Sequence, residues 1–170
     1  LAYNNMGLAY DDQGNTAKAI ELYEKAIELN PYYAKAYVNL GNAYYNQGNY
    51  TKAIELYEKA IELDPDYADA YINLGIAYKN QGNYIKAIES YEKAIELNPD
   101  DALAYYNLGI AYYDQGNYTK AIQSYEKAIE LDPDDADAYN NLGIAYYDQG
   151  NYTKAIQLYE KAIELDPDYA

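Results

Sequence analysis

Apolar residues recur at steps of three and four, and the rhythm breaks at regular places. In the stretch 102–135, Ala104, Tyr105, Leu108, Ala111 and Tyr112 fall on one face of a helix. Gly116 then predicts a stop, because the left-handed geometry that closes a helix is resisted by residues with a Cβ. Asn117 is placed to cap a second helix whose inward stripe is Tyr118, Ala121, Ile122, Tyr125, Ala128 and Ile129. Pro133 excludes Asp132 from helical geometry and ends that helix. Asp134 and Asp135 follow at the start of the next one, where negative charge suits the helix dipole.

The same punctuation returns throughout. Pro31, Pro65, Pro99, Pro133 and Pro167 stand 34 residues apart, and the ten glycines form pairs seven apart on that beat. The 170 residues therefore divide into five repeats, approximately 1–33, 34–67, 68–101, 102–135 and 136–169. Residues 102–135 and 136–169 differ at only four places, so the unit is nearly copied. A period of this length predicts an all-α solenoid of five antiparallel helix-turn-helix repeats, each packed on its neighbours, as a single array with no second domain. Leu1 opens inside the first unit, as expected of a fragment or an excised segment.

These residues carry a family resemblance. The run AY-x-NLG-x-AYY-x-QGNY-x-KAI-x-x-YEKAIELDP closely resembles the tetratricopeptide repeat over the whole chain. In the second unit Tyr37, Leu40, Gly41, Tyr44, Gly48, Tyr50, Ala53, Tyr57, Ala60 and Pro65 match the family pattern, with Tyr where the family often has Trp or Phe. The first unit departs most, with Met6 for Leu and Thr16 for Tyr. The resemblance implies a right-handed superhelix whose first helices line a concave groove, and a non-catalytic scaffold for proteins or peptides. The near-identity of the units fits recent natural duplication or a consensus-like designed array, and uneven substitutions such as Lys35, Lys79 and Leu103 favour duplication.

Composition then removes most chemistry. There is no Cys and no His, which excludes disulfides, thiol nucleophiles, imidazole bases and ordinary structural zinc. Ser90 and Ser124 lie on second helices without a His partner, and the carboxylates recur with the repeat rather than as one singular acid/base pair. No enzyme activity and no cofactor are expected. Gly41, Gly75, Gly109 and Gly143 sit inside first helices, where close packing is the expected reason for them. Asp132, Asp134, Asp135 and Asp137 allow a weak surface cation site as the alternative to helix capping. Glu21/Lys25, Glu55/Lys59 and Glu89/Lys93 are spaced for ion pairs on an outer face. All 12 basic residues are Lys against 28 acids, a net charge of −16, which argues against nucleic acid and anionic membranes and for a neutral-to-basic partner. No run of apolar residues is long enough for a membrane span and no signal peptide opens the chain, so the cytoplasm is the default location.

The first-helix surface carries the remaining information. Asn5, Asn39, Asn73, Asn107 and Asn141 occupy one place in all five units, although Asn is a mediocre helix former. A carboxamide both donates and accepts, which suits the backbone of an extended peptide, and stacked repeats would align these residues as a ladder. An inter-repeat hydrogen bond is the structural alternative. Beside them run Leu8, Asn42, Ile76, Ile110 and Ile144 on one line, Asp11, Tyr45, Lys79, Tyr113 and Tyr147 on a second, and Asp12, Asn46, Asn80, Asp114 and Asp148 on a third. Ile76, Ile110 and Ile144 with Tyr45, Tyr106, Tyr113 and Tyr147 predict an apolar and aromatic peptide contact, with Lys79 an isolated positive point. Family members that clamp a C-terminal carboxylate use basic residues around Asn; the matching places here keep Asn39 but hold Asn4, Asp69 and Asn73, so an acidic tail is not expected to bind. The uncapped ends, including Tyr169, predict end-to-end self-association.

Overall fold

The apolar rhythm and its breaks translate directly into helix pairs. In the computed structural model, which describes residues 1–168, these are α1 (Ala2–Asp12) with α2 (Thr16–Leu29), α3 (Ala34–Asn46) with α4 (Tyr50–Leu63), α5 (Ala68–Asn80) and α6 (Tyr84–Leu97), α7 (Ala102–Asp114) with α8 (Tyr118–Leu131), and α9 (Ala136–Asp148) with α10 (Tyr152–Leu165). No strand occurs among the described residues. The turn between α7 and α8 shows the local cause. Gly116 adopts φ 81°, its N–H donates to the Tyr113 carbonyl at 2.8 Å, and the Asn117 N–H donates to the Tyr112 carbonyl at 2.8 Å. That double bond pattern closes α7. Asn117 immediately starts the next helix, its Oδ1 accepting the Lys120 N–H at 3.2 Å. Asp132, before Pro133, is extended at φ −131° and ψ 91° and ends α8.

Two compact units, Leu1–Asn83 and Tyr84–Ala170, divide the chain, each holding five helices among the described residues. In both, a glycine of a first helix receives the ring of a tyrosine from the paired second helix. A Cβ at Gly41 would stand 2.5 Å from Tyr57 Cε1, and one at Gly109 2.5 Å from Tyr125 Cε1. These rings are almost fully buried. The expected close packing at the helical glycines is therefore present, and the helices approach through it. Within the units, consecutive repeats are joined by buried side chains such as Leu40, which packs with Ala19 and Tyr23, and by phenol hydroxyls. Tyr78 Oη donates to Glu58 Oε1 at 2.7 Å, Tyr112 to Glu92 at 2.9 Å and Tyr146 to Glu126 at 3.0 Å.

Two expectations need correction. The Lys–Glu pairs form at i,i+3: Lys18–Glu21, Lys25–Glu28, Lys52–Glu55, Lys59–Glu62 and Lys93–Glu96. Glu21 and Glu55 thus pair with the lysine before them, not with Lys25 and Lys59, because both spacings bring groups onto adjacent turns and each lysine also has an acid three places ahead. The tyrosines read as part of the inward stripes also differ in depth. Tyr23, Tyr57, Tyr91 and Tyr125 are fully buried, whereas Tyr37, Tyr105, Tyr50 and Tyr118 are half-buried. On α10, Ile156 is 57% exposed, while its equivalent Ile122 is 8% exposed beneath α9. Tyr169 lies outside the described residues. No helix among those described is long and apolar enough to cross a membrane.

Candidate functional site

The asparagine line is not one uniform ladder, and the reason lies one place earlier in the preceding repeat. Asn39 Nδ2 donates to Oδ1 of the buried Asn4 at 2.8 Å. Asn141 Nδ2 donates to Tyr106 Oη at 2.9 Å. Asn4 and Tyr106 hold the same repeat position, and that position is Val38 before Asn73. Val38 offers no acceptor, and the half-buried Asn73 carboxamide makes no hydrogen bond among the described residues. Asn107 Nδ2 turns back onto the Leu103 carbonyl of its own helix at 2.9 Å. Asn5 is exposed on α1.

Two cavities open on the first-helix face, one in each unit. The first, about 250 Å³, lies between α3 and α5 and is lined by Asn42, Tyr45, Asn46, Tyr57, Asn73 and Ile76. The second, about 220 Å³, lies between α7 and α9 and is lined by Ile110, Tyr113, Asp114, Tyr125, Asn141 and Ile144. The two sets occupy identical repeat positions. Ile76, Ile110 and Ile144 are half-buried walls, neither free groove residues nor core. Tyr57 and Tyr125 come from the second helices and are not legible as site residues; their core periodicity hides that the inner end of each ring reaches a cavity.

The tyrosines brought together are braced from beneath. Tyr45 packs on Tyr50 with ring centroids 5.3 Å apart, Tyr113 on Tyr118 at 5.3 Å, Tyr147 on Tyr152 at 5.2 Å, and Tyr106 on Tyr125 at 6.1 Å. Hydroxyls join neighbouring repeats as well: Asn80 Nδ2 donates to Tyr45 Oη, and Tyr113 Oη donates to Asp148 Oδ2. The bond to the Asp148 carboxylate, then burial, pushes the Tyr113 phenol up to about 12. Burial first, then the charges of Asp137 and Asp135, raises Tyr106. Tyr147 is largely exposed, and Lys79 is half-buried near the end of α5.

Outside this face the chemistry is structural. Asp132 Oδ1 accepts the Asp134 N–H at 3.3 Å, and Asp135 caps α9 by accepting the Ala138 N–H at 3.1 Å. Asp137 sits in the first turn of α9. The carboxylates are thus spread along a turn and a helix end, and no group of three acids among the described residues could hold a metal. Ser90 and Ser124 donate to the Lys86 and Lys120 carbonyls at 2.8 and 3.0 Å, one helical turn back.

The TPR repeat family matches residues 7–48, 41–82, 80–116 and 111–150, and the tetratricopeptide repeat family matches residues 136–169. No curated protein matches the chain. Among solved structures the chain is similar to MamA, at 34% identity over 95% of this chain and 95% of that one, with a TM-score of 0.87. It is similar to YrrB, a TPR protein with an unusual peptide-binding site, at 29% identity over 98% and 86%, with a TM-score of 0.80. Pseudomonas aeruginosa pilF is 26% identical over 96% of this chain and 74% of its own, with a TM-score of 0.88.

Proposed function

Because the chain belongs to the tetratricopeptide repeat family, a family of protein-interaction scaffolds, we propose that its first-helix face binds an extended, neutral-to-basic peptide segment of a partner without catalysing a reaction. The observation that carries this reading is the pair of cavities built from the same six repeat positions. Each offers a seat to a side chain of an extended peptide, and Asn73 stands open beside the first for a backbone amide or carbonyl. The net charge of −16 selects against acidic segments. YrrB, with its peptide-binding site, supports the same class of ligand.

A peptide array probed at rising salt tests this. Basic and neutral peptides should bind, acidic ones should not, and binding of the basic ones should weaken with salt. Asn73→Ala should cost about 0.5–1.5 kcal/mol for each hydrogen bond lost. Equal binding of acidic and basic peptides, or unchanged binding by Asn73→Ala, would refute the reading.

The exposed α10 face favours a second reading, in which copies of the chain associate end to end and Ile156 and Ile163 seat the first helix of the next copy, whose Met6 is 43% exposed. Sedimentation at rising concentration should show growing assemblies that Ile156→Asp abolishes. A monomer at every concentration rejects it.

A further inference from the structure

The two cavities share their positions but not their chemistry. Asn42 in the first corresponds to Ile110 in the second, and Asn46 to Asp114. The first exchange changes the state of the buried tyrosine. Tyr57 Oη donates to Asn42 Oδ1 at 2.7 Å. Tyr125 has the aliphatic Ile110 in that place, and although the residue is only 2% exposed, its hydroxyl makes no hydrogen bond among the described residues. The second cavity therefore contains the phenol oxygen of Tyr125, open to the cavity and without a hydrogen bond among the described residues.

The second exchange adds charge. Asp114 lines the cavity and takes part in no ion pair among the described residues, and Asp148 stands close by on the Tyr113 hydroxyl. The Tyr113 phenol is raised first by the Asp148 hydrogen bond and the Tyr125 phenol first by burial, and the Asp114 charge adds a smaller upward push to each. Ile110 and Ile144 supply half-buried apolar walls beside that exposed carboxylate. An aliphatic stem with a cationic, hydrogen-donating head meets all of these groups at once. A neutral polar side chain would leave Asp114 unmatched, and an aliphatic one would leave both Asp114 and Tyr125 unmatched.

We propose that the cavity between α7 and α9 is a subsite for one lysine or arginine side chain of the bound peptide, its stem against Ile110 and Ile144 and its head donating to Asp114 and to the Tyr125 oxygen. The inference rests on the peptide-binding reading of the first-helix face and assigns its basic preference to one repeat junction. The cavity between α3 and α5, with Asn42, Asn46 and Asn73, is the neutral seat of its own unit.

Fluorescein-labelled decapeptides of alternating Lys-Ala, Arg-Ala and norleucine-Ala, titrated by anisotropy against the whole chain, separate the contributions. Asp114→Asn should weaken the Lys and Arg peptides ~5-fold or more and leave the norleucine peptide unchanged. Asp134→Asn removes the same charge from a junction that does not line the cavity and should change affinity less than ~2-fold, as expected for a screened surface charge without a direct partner. The exchange Asn42→Ile with Asn46→Asp should raise affinity for the Lys peptide by installing a second basic seat. Circular dichroism confirms that each variant is folded. Equal losses in Asp114→Asn and Asp134→Asn, or an equal loss for the norleucine peptide, would overturn the subsite while leaving the peptide-binding face intact. If no peptide binds the unaltered chain, the peptide-binding reading itself fails, and the subsite with it.

Discussion

Gly41→Ala is expected to destabilise the protein by about 2 kcal/mol, although alanine is the better helix former by about 1 kcal/mol. The new Cβ would fall 2.5 Å from Tyr57 Cε1 and 2.8 Å from Cδ1. Tyr57 is 1% exposed and anchored through Asn42, so its ring has no free volume into which to withdraw. Gly41→Val should cost ~3 kcal/mol or more by the same mechanism. Gly48 supplies the contrast: it has φ 76° and nothing within 4 Å of the place a Cβ would take, so its cost is backbone strain alone. Asparagine, which tolerates the left-handed region, should be nearly acceptable at Gly48 and severe at Gly41. Urea denaturation midpoints measure both series. In Gly41→Ala, the further change Tyr57→Leu should cost less than it does alone, because it removes the clash. A neutral or stabilised Gly41→Ala would show that the helices do not approach through this contact.

That contact also marks where sequence suffices. The positions of Gly41 and Tyr57 repeat with the 34-residue period, and close packing is a sufficient reason for glycine inside a helix, so the interhelical approach is legible in advance. So are the turn at Gly116, the cap at Asn117 and the stop at Pro133, since each acts on its own few residues. The asparagines are harder because their partners lie in another repeat. Asn39, Asn73 and Asn141 share one place, yet their roles diverge with Asn4, Val38 and Tyr106, 35 residues earlier. The apolar line Ile76, Ile110 and Ile144 is plain from the period, but its half-burial depends on the close approach of consecutive first helices, which periodicity alone does not measure. Tyr57 and Tyr125 read entirely as core because a helical stripe assigns a whole side chain to one side, whereas a ring about 6 Å long can reach from core to cavity.

Alkaline pH should unfold the protein within a narrow window, and tyrosine is the cause. Burial, followed by the charges of Asp11 and Asp12, pushes Tyr23 up to about 12; the Asp148 hydrogen bond and burial bring Tyr113 to about 12; burial carries Tyr57 and Tyr125 higher still. In the unfolded chain a phenol releases its proton near pH ~10. Between that value and the folded value, the folded state binds more protons than the unfolded one, so stability falls as pH rises. The contribution is fully present below pH ~10 and is lost progressively towards pH ~12 and beyond. The melting temperature should hold steady from neutral pH to about pH 9 and drop by ~10 °C or more by about pH 11, with tyrosinate absorbance rising as helicity falls. Ionising phenols also add negative charge to a chain already at −16, but salt screens that repulsion and should restore only part of the loss. Tyr125→Phe separates the two effects. It removes an ionisable hydroxyl that makes no hydrogen bond among the described residues, so it should leave the neutral-pH melting temperature unchanged and raise the alkaline one. Tyr57→Phe should instead lose about 1 kcal/mol at neutral pH, because Asn42 loses its donor. If both variants follow the unaltered chain at alkaline pH, surface repulsion and not buried phenol ionisation drives the unfolding.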